Sequence, residues 1–529
     1  MKLNRFFKTL KNKLNKFSSK NIIFTFIFIN VIIRIPSLKN DLFPYFFICD
    51  EGIYFGETYH MLVDQNYIQK SFRAGFANVY TVLIPFKIFT LIFTEGYINS
   101  DQLILFGRLL LPILLSSLSI LFIDLAIREI YTKATVIERT LYLSIFSLSG
   151  YFFSQSRIWY PDHYQIFFSS IVIYLILKIY RQKKLSMDLY FLIIAFIFLI
   201  GVKYSGLLLL ATTFPCLAYV FFNSLEFKNS LNRFYLVSKY ILFAFFFFSL
   251  LNFSIFLNFE KFLYDFNANL INYGQSSLDL EGFLYYFVFL FLVPFSIFSA
   301  PFLIIAIIKL IKDESWFLAY LFIGVPLILC LYFGSYGTLV NRNINFLIPF
   351  VLLLLTVGIS SNLKFIKLRF SNILIILILS FQIWSFSITL LDDFKIDSRI
   401  QAEAWIIENL NNLNFTEVGN NEFCTGDSPV KGFAESAYDH NFELGFDYYL
   451  INDYWDSKAT RTLQRRNILF TTNHKNDQFY YFNNRDLINN RLFKSEQNFN
   501  IVEGYEVLKT FVGNGPTMIL YKKSSISLP

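Results

Sequence analysis

Apolar runs of about twenty residues, the length of a helix that crosses a bilayer core, recur along the chain as far as residue 390. Of the 529 residues, 55% are hydrophobic and only 16% are charged. These runs predict a polytopic α-helical membrane protein with about eleven transmembrane helices. The predicted spans lie at residues 22–36, 102–127, 140–156, 165–180, 189–204, 205–223, 239–258, 284–311, 316–333, 344–361 and 371–390.

Basic residues predict how these helices cross the membrane. The first twenty residues carry seven lysines and arginines, and no small-residue cleavage site follows the next apolar run, which indicates an uncleaved anchor. Loops rich in basic residues stay in the cytoplasm, and five such loops fall on one side if the segment 78–94 does not cross. We therefore predict an integral protein of the cytoplasmic (inner) membrane, with a cytoplasmic N-terminus and an extracytoplasmic C-terminus.

The apolar segment from Val79 to Thr94 allows two interpretations. Pro85 and Lys87 lie in its middle, and a lysine at the bilayer centre costs about 2.5–3.5 kcal/mol on insertion scales. If the segment crossed, the sidedness of every later loop would reverse. We interpret 78–94 as an interfacial helix from which Lys87 snorkels, inside a first outer loop at residues 38–101.

The composition becomes polar at Asp392, which predicts two domains. Residues 1–390 would form the transmembrane module, and residues 391–529 an extracytoplasmic soluble domain. An apolar helical stripe follows Ser398, and buried strands are predicted at 468–470 and 518–521. The second domain is therefore expected to be of the α/β or α+β class.

Net charge and cysteine content limit the kinds of partner that we expect the chain to bind. The net charge of +8 does not predict a nucleic-acid partner, because the basic residues lie in short loops between spans. The four cysteines, at positions 49, 216, 330 and 424, lack the spacing of a metal site. Cys49 and Cys424 fall in the same predicted compartment, and whether they pair stays open.

An acidic pair, Asp50-Glu51, follows the first span. A short helix there would place Asp50, Tyr54, Glu57 and Met61 on one face, since residues three, four and seven apart align. The alternative is an ordinary helix start, in which Asp50 caps free amides and Glu51 favours the positive end of the helix dipole.

Further polar residues lie on the same predicted side of the membrane as Asp50 and Glu51. Together they have the charges needed to bind a phosphate group attached to a lipid. Cations would hold the phosphate, and a carboxylate would handle a proton. Lys203 is the most informative of them, because an ionisable residue between apolar spans is functional by default. Arg157 and Arg342 equally suit lipid headgroups, and Asp162 equally suits a helix cap after Pro161. The convergent residues are Asp50, Glu51, Arg157, Asp162, His163, Lys203 and Arg342.

Taken in order, these motifs resemble the GT-C glycosyltransferases, in the branch of protein O-mannosyltransferases and bacterial aminoarabinose transferases. The resemblance covers most of the chain. It rests on Asp50-Glu51 with Tyr54, Arg108, Pro161-Asp162, the run Gly201-Val202-Lys203-Tyr204-Ser205-Gly206, Arg342 with Pro349, and Asp397-Ser398-Arg399 with Trp405.

The resemblance implies a GT-C-like fold, a polyprenyl-phosphate-sugar donor, and an aspartate in the first outer loop as catalytic base, which here is Asp50. Two departures bear on the substrates. The Pro-Pro pair often found before the interfacial helix is replaced by Phe76-Ala77-Asn78-Val79, and His60 stands where a basic residue is common. On this resemblance Asp50 and Glu51 are the expected catalytic residues. The expected substrate-binding residues are Tyr54, His60, Arg157, Asp162, Lys203 and Arg342.

The predicted reaction is the transfer of one sugar to an extracytoplasmic lipid, glycan or protein, with inversion and with Asp50 as general base. The sequence establishes no cofactor, and a divalent metal held by Asp50, Asp162 and His163 or His60, which would suit the hard carboxylate ligands, stays open. The rival enzyme is an oligosaccharyl transferase or glycan ligase, and the rival of another class is a lipid or glycan transporter. Internal repeats and mid-membrane charges, which are typical of transporters, are not visible in the sequence.

Overall fold

A computed structural model describes the backbone of most of the apolar region and parts of the polar tail. The described residues are 19–39, 49–70, 72, 75–94, 96–132, 134–155, 159, 161–183, 186–223, 230–273, 280–335, 341–365, 368–392, 398–409, 418–420, 448–452, 505–511 and 518–523.

The described chain is mainly helical. The helices are α1 (Ser19–Ile32), α2 (Cys49–Val63), α3 (Phe76–Phe93), α4 (Ser100–Arg108), α5 (Ser116–Ile130), α6 (Val136–Ser147), α7 (Gly150–Gln155), α8 (Pro161–Gln182), α9 (Ser186–Val202), α10 (Ser205–Phe222), α11 (Ser230–Leu251), α12 (Phe253–Leu257), α13 (Phe259–Tyr273), α14 (Leu280–Leu292), α15 (Ala300–Lys312), α16 (Trp316–Ala319), α17 (Val325–Gly334), α18 (Ile348–Phe365), α19 (Leu368–Asp392) and α20 (Ser398–Asn409). Shorter 3-10 turns cover Ile35–Lys39, Ile297–Ser299 and Asn341–Leu347, and π-helical turns cover Leu109–Leu115 and Tyr320–Gly324.

Apolar spans dominate the described residues, in agreement with the predicted class. Among the described residues, eight helices are long and apolar enough to cross a membrane, and a bent pair of helices brings the number to nine if the pair is one span. Two shorter apolar helices cover Asn21–Ile32 and Met187–Val202. The predicted number of eleven therefore stays a prediction. The segment Asn343–Ser361 is 94% buried and Phe234–Leu251 is 0% buried, so α18 lies at the centre of the bundle and α11 at its edge.

Three predicted spans are not single helices. The segment 140–156 is divided between α6 and α7, and the segment 239–258 is divided between α11 and α12 at Asn252. The segment 284–311 is broken by a bend of 81° between α14 and α15. Pro294 and Ser296, whose φ is 73°, lie in this break, and neither fits inside a regular helix. Hydropathy alone does not register such breaks, since the residues around them stay apolar.

Helix α3 corresponds to the predicted interfacial helix. Its buried side includes Phe76, Val79 and Phe86, whereas its exposed side is also apolar and includes Ile84 and Ile88. An interfacial helix normally carries a polar face. Length and composition also qualify Phe76–Phe93 to cross a membrane, so its placement stays a prediction.

Thiol labelling on either side of α3 is expected to give the same result if the helix does not cross. After removal of the native cysteines, Val63→Cys and Tyr97→Cys, which are exposed positions flanking α3, should both react with an impermeant reagent from outside. Reaction of Tyr97→Cys only after permeabilisation would show that α3 crosses, and would reverse the predicted side of every later loop.

A buried ion cluster joins α5 to α6. The fully buried Asp124 accepts hydrogen bonds from Arg139 Nε and Nη2 at 2.6 and 2.7 Å, and Arg128 Nη2 lies 2.7 Å from Asp124 Oδ2. Asp124 and Arg128 are four residues apart in α5, a spacing at which oppositely charged side chains meet on the surface of a helix. Arg139 was not expected, because it belongs to the next helix.

We expect Arg139→Ala to destabilise the protein more than Arg128→Ala. Without Arg139 the buried Asp124 Oδ1 loses its donor, at a cost of about 1–3 kcal/mol. Arg128 is partly exposed, so water replaces it at lower cost. Thermal unfolding of the detergent-solubilised variants measures both changes, and equal midpoints for the two would contradict this ranking.

The described part of the polar tail contains a four-stranded sheet. Its strands are β1 (Val418–Asn420), β2 (Tyr448–Asn452), β3 (Tyr505–Phe511) and β4 (Met518–Lys523), in the order β1-β2-β4-β3. β1 and β2 are parallel, and the other pairs are antiparallel. The strand predicted at 518–521 lies in β4, whereas the strand predicted at 468–470 lies outside the described residues. The division into two domains stays a prediction.

Candidate active site

The candidate site is centred on the break between α9 and α10. Helix α9 ends at Val202 and α10 begins at Ser205, so Lys203 and Tyr204 form a two-residue hinge. The Gly206 amide donates to the Lys203 carbonyl at 2.9 Å, which closes a tight turn. The boundary predicted between the spans 189–204 and 205–223 therefore lies at this hinge.

Two glycines bring α3 against this hinge. A Cβ atom at Gly75 would overlap the carbonyl oxygen of Gly201, and a Cβ atom at Gly201 would overlap the Phe76 ring. The start of α3 therefore touches the end of α9 through backbone atoms, an approach that a side chain would prevent.

Gly75→Ala is expected to separate α3 from the hinge. The added methyl group meets backbone rather than a flexible side chain, so we expect a loss of about 1–3 kcal/mol or more in unfolding free energy. Gly56→Ala is the matched control, because nothing lies within 4 Å of a Cβ atom there. Thermal unfolding of the two variants makes the comparison, and an unchanged midpoint for Gly75→Ala would contradict the close approach.

Lys203 connects the hinge to the start of α18. Its Nζ donates to Asn343 Oδ1 at 2.8 Å, and Asn343 is only 2% exposed. Arg342 precedes Asn343 in the 3-10 turn Asn341–Leu347. The structure therefore brings Lys203 to the segment that carries Arg342, 139 positions away in the sequence, although the Arg342 side chain lies outside the described residues.

Helix α8 meets the same hinge with its first turns. Gln165 Nε2 lies 3.2 Å from Ser205 Oγ and 3.5 Å from the Lys203 carbonyl oxygen. The helix begins at Pro161, so Asp162 and His163 lie within one turn of Gln165 along the backbone. Their side chains lie outside the described residues, as does all of Arg157.

The acidic pair lies at the start of α2, as predicted. Helix α2 begins at Cys49 and packs against α3. Tyr54 and Met61, on the predicted face, are buried, whereas His60 is exposed and its ring lies 6.1 Å from that of Tyr59. The side chains of Asp50 and Glu51 lie outside the described residues, so their roles stay predictions.

The loop between α2 and α3 is tied to both the hinge and α13. The Tyr204 hydroxyl donates to the Phe72 carbonyl at 3.2 Å, and the Phe72 amide donates to Asp265 Oδ2 at 2.9 Å. Lys261 Nζ lies 2.7 Å from Asp265 Oδ1. Tyr204 of the hinge, Phe72 of the loop and Asp265 of α13 are thus joined by consecutive hydrogen bonds.

Among the described residues no group of three histidine, cysteine or acidic side chains could hold a metal ion. The side chains of the proposed ligands Asp50, Asp162 and His163 lie outside the described residues. The fit of a divalent metal to them stays a prediction. Of the cysteines, Cys216 and Cys330 are free and buried, and the pairing of Cys49 with Cys424 concerns side chains outside the described residues.

Sequence reasoning missed three carboxamide residues at the hinge, Asn78, Gln165 and Asn343. Asn78 Nδ2 donates to the Val202 carbonyl at 2.7 Å, and the other two contact Lys203 as described above. Neutral polar residues carry no strong signal in apolar helices. The nearest clue was position, since Gln165 lies one turn after Asp162 and Asn343 adjoins Arg342.

Comparisons with known proteins give a remote likeness in structure. The sequence matches no family model and no curated protein. Solved structures that match include an oligosaccharyltransferase of Archaeoglobus fulgidus with Zn and sulfate, at a TM-score of 0.45 and 14% identity over 80% of this chain and 59% of that one. AglB of the same organism, in complex with an inhibitory peptide and a dolichol-phosphate, matches at a TM-score of 0.47 and 13% identity, over 81% of this chain and 62% of that one. A third structure is the Archaeoglobus fulgidus oligosaccharyltransferase tethered to an acceptor peptide that contains the NVT sequon. It matches at a TM-score of 0.45 and 14% identity, over 81% of this chain and 61% of that one.

The chain thus spans about three fifths of the length of these proteins, at 59–62%. A likeness of this size identifies neither the family nor the reaction of the chain. The O-mannosyltransferase and aminoarabinose-transferase branch therefore stays a prediction.

Proposed function

We propose that this chain is a membrane glycosyltransferase of the GT-C type, which transfers one sugar from a polyprenyl-phosphate carrier to an acceptor on the extracytoplasmic face. The acceptor is an envelope lipid, a glycan or a protein. The observation that carries the proposal is the Lys203 ammonium at a break between apolar helices, hydrogen-bonded to the segment of Arg342. An ionisable residue between apolar spans is functional by default, and an anionic lipid phosphate is a suitable partner for its ammonium group.

The proposed chemistry needs one base and a stabilised leaving group. The Asp50 carboxylate accepts the proton of the acceptor hydroxyl as its oxygen attacks the anomeric carbon. The bond from that carbon to the phosphate oxygen breaks, and the lipid phosphate leaves with the electron pair. Lys203 and Arg342 balance the charge that grows on the phosphate, and attack from the opposite face inverts the anomeric configuration.

Other proposed site residues complete the arrangement. Glu51, Tyr54 and His60 of α2, with Arg157 and Asp162 near the start of α8, would contact donor and acceptor. A divalent metal held by Asp50, Asp162 and His163 would add a Lewis acid. No step above requires it.

The test is transfer by the purified protein in lipid nanodiscs. Polyprenyl-phosphate monosaccharides and an envelope extract serve as substrates, and mass spectrometry detects free polyprenyl phosphate and the glycosylated acceptor. Both products should appear in equal amounts. Transfer of a whole glycan from a lipid-linked oligosaccharide would identify the oligosaccharyl transferase alternative. Movement of the donor across the bilayer without release of polyprenyl phosphate would identify a transporter.

A further inference from the structure

The three hinge carboxamides each use one half of the amide group to hold the hinge. Asn78 Nδ2 donates to the Val202 carbonyl, Gln165 Nε2 donates toward the Lys203 carbonyl, and Asn343 Oδ1 accepts from Lys203 Nζ. They come from α3, α8 and the turn before α18. Three separate elements of the fold thus place a carboxamide on two consecutive residues.

The other half of each amide group is buried without a partner. Asn78 Oδ1, Gln165 Oε1 and Asn343 Nδ2 have no hydrogen-bond partner within the part of the chain that the structure describes. The residues are 0%, 0% and 2% exposed. The bonded halves fix the orientations of Asn78 and Asn343, because a carbonyl needs a donor and an ammonium needs an acceptor. For Gln165, Nε2 is the half that faces the Lys203 carbonyl at 3.5 Å and Ser205 Oγ at 3.2 Å.

Such atoms also occur elsewhere in the described chain, for example at Asn345 and Ser371, but three of them on side chains that hold one hinge point to a ligand there. A buried polar atom without a partner costs about 1–3 kcal/mol, and native proteins contain few of them. The three atoms provide two neutral acceptors and one neutral donor beside an ammonium. A phosphate accepts hydrogen bonds but does not donate them, so it matches the ammonium and leaves the two acceptors unused. A sugar hydroxyl donates and accepts, so it matches the carboxamides.

We infer that Asn78, Gln165 and Asn343 form the sugar subsite of the donor and bind hydroxyl groups of the transferred sugar, while Lys203 binds the phosphate that carries it. This inference rests on the proposed function. The three atoms are covered in this structure, so binding moves the side chains that cover them. The subsite favours a hydroxyl-bearing sugar over its deoxy analogue, because each missing hydroxyl leaves a buried amide unpaired.

Binding of short synthetic probes tests the subsite. Farnesyl phosphate and its mannosyl, glucosyl and galactosyl esters are titrated calorimetrically into the full-length protein in nanodiscs. The wild type should bind at least one ester more tightly than farnesyl phosphate. Gln165→Leu should lower the affinity for that ester about 3–10-fold, as expected for a lost hydrogen bond, with little change for farnesyl phosphate.

The control is Gln382→Leu, which removes another buried glutamine that donates to a carbonyl at a helix break, that of Pro294, at 2.7 Å. Gln382→Leu should change neither the affinity for the sugar ester nor the affinity for farnesyl phosphate. Asn78→Leu serves as a second variant if Gln165→Leu does not fold. Equal affinity of the wild type for farnesyl phosphate and every ester would overturn the subsite, as would an unchanged ester preference in a folded variant. Failure of the wild type to bind farnesyl phosphate would instead overturn the proposed function.

Discussion

Asp50→Asn is expected to yield a folded protein that binds the lipid-phosphate donor but transfers sugar about 10²–10⁴-fold more slowly, the usual contribution of general base catalysis. Asparagine keeps the size of aspartate and remains a good residue at a helix start, which is where Asp50 lies in α2. A merely capping Asp50 would therefore leave transfer nearly normal. The measurement is the single-turnover transfer rate, with donor binding and thermal stability determined on the same preparation.

Glu51→Gln is the matched control, one residue further along the same helical turn. It should reduce transfer less than Asp50→Asn if Glu51 orients the loop or the acceptor. Near-normal transfer by Asp50→Asn would contradict the mechanism. Loss of donor binding together with a dependence on added divalent metal would identify Asp50 as a metal ligand rather than a base.

Lys203→Met is expected to weaken the binding of farnesyl phosphate by about 10–150-fold, the equivalent of about 1.5–3 kcal/mol for a hydrogen bond to a charged group. Methionine fills similar space but removes the charge that the phosphate would meet. Because this contact holds in the ground state, the apparent affinity for donor should fall more than the maximal rate. Arg342→Met should act in the same direction with a smaller effect.

Lys87→Met is the control for Lys203→Met, because Lys87 is also a partly buried lysine of an apolar segment. It should leave phosphate binding unchanged. Lys203→Arg should recover part of the affinity, since the charge is restored in a longer side chain. Equal binding by wild type and Lys203→Met would make Lys203 a structural partner of Asn343 and remove the phosphate site.

The features that the sequence predicted best are those set by residues close to one another in the chain. Apolar runs located most of the helices, and an ionisable residue between two runs located the Lys203 hinge. The contact of Asp124 with Arg128 likewise reflects a spacing of four residues along one helix. Each of these follows from neighbours in the chain, whose distance is fixed by helix geometry.

Contacts between distant segments were not predictable in this way. Arg139 reaches Asp124 because α6 folds back on α5, and Asn78 reaches Val202 because Gly75 and Gly201 permit backbone contact. The bend between α14 and α15 depends on two residues within an apolar run, and Gln382 of α19 donates to the Pro294 carbonyl there. Which side of the membrane each loop occupies likewise depends on whether α3 crosses.

The most direct test of the proposed sugar transfer is mass spectrometry of lipid-linked sugars and envelope glycans in cells that lack this chain. The proposed function predicts accumulation of one polyprenyl-phosphate monosaccharide and loss of that sugar from an envelope acceptor, with both restored by the wild-type chain but not by Asp50→Asn. Unchanged lipid-linked sugars and unchanged envelope glycans in those cells would contradict it.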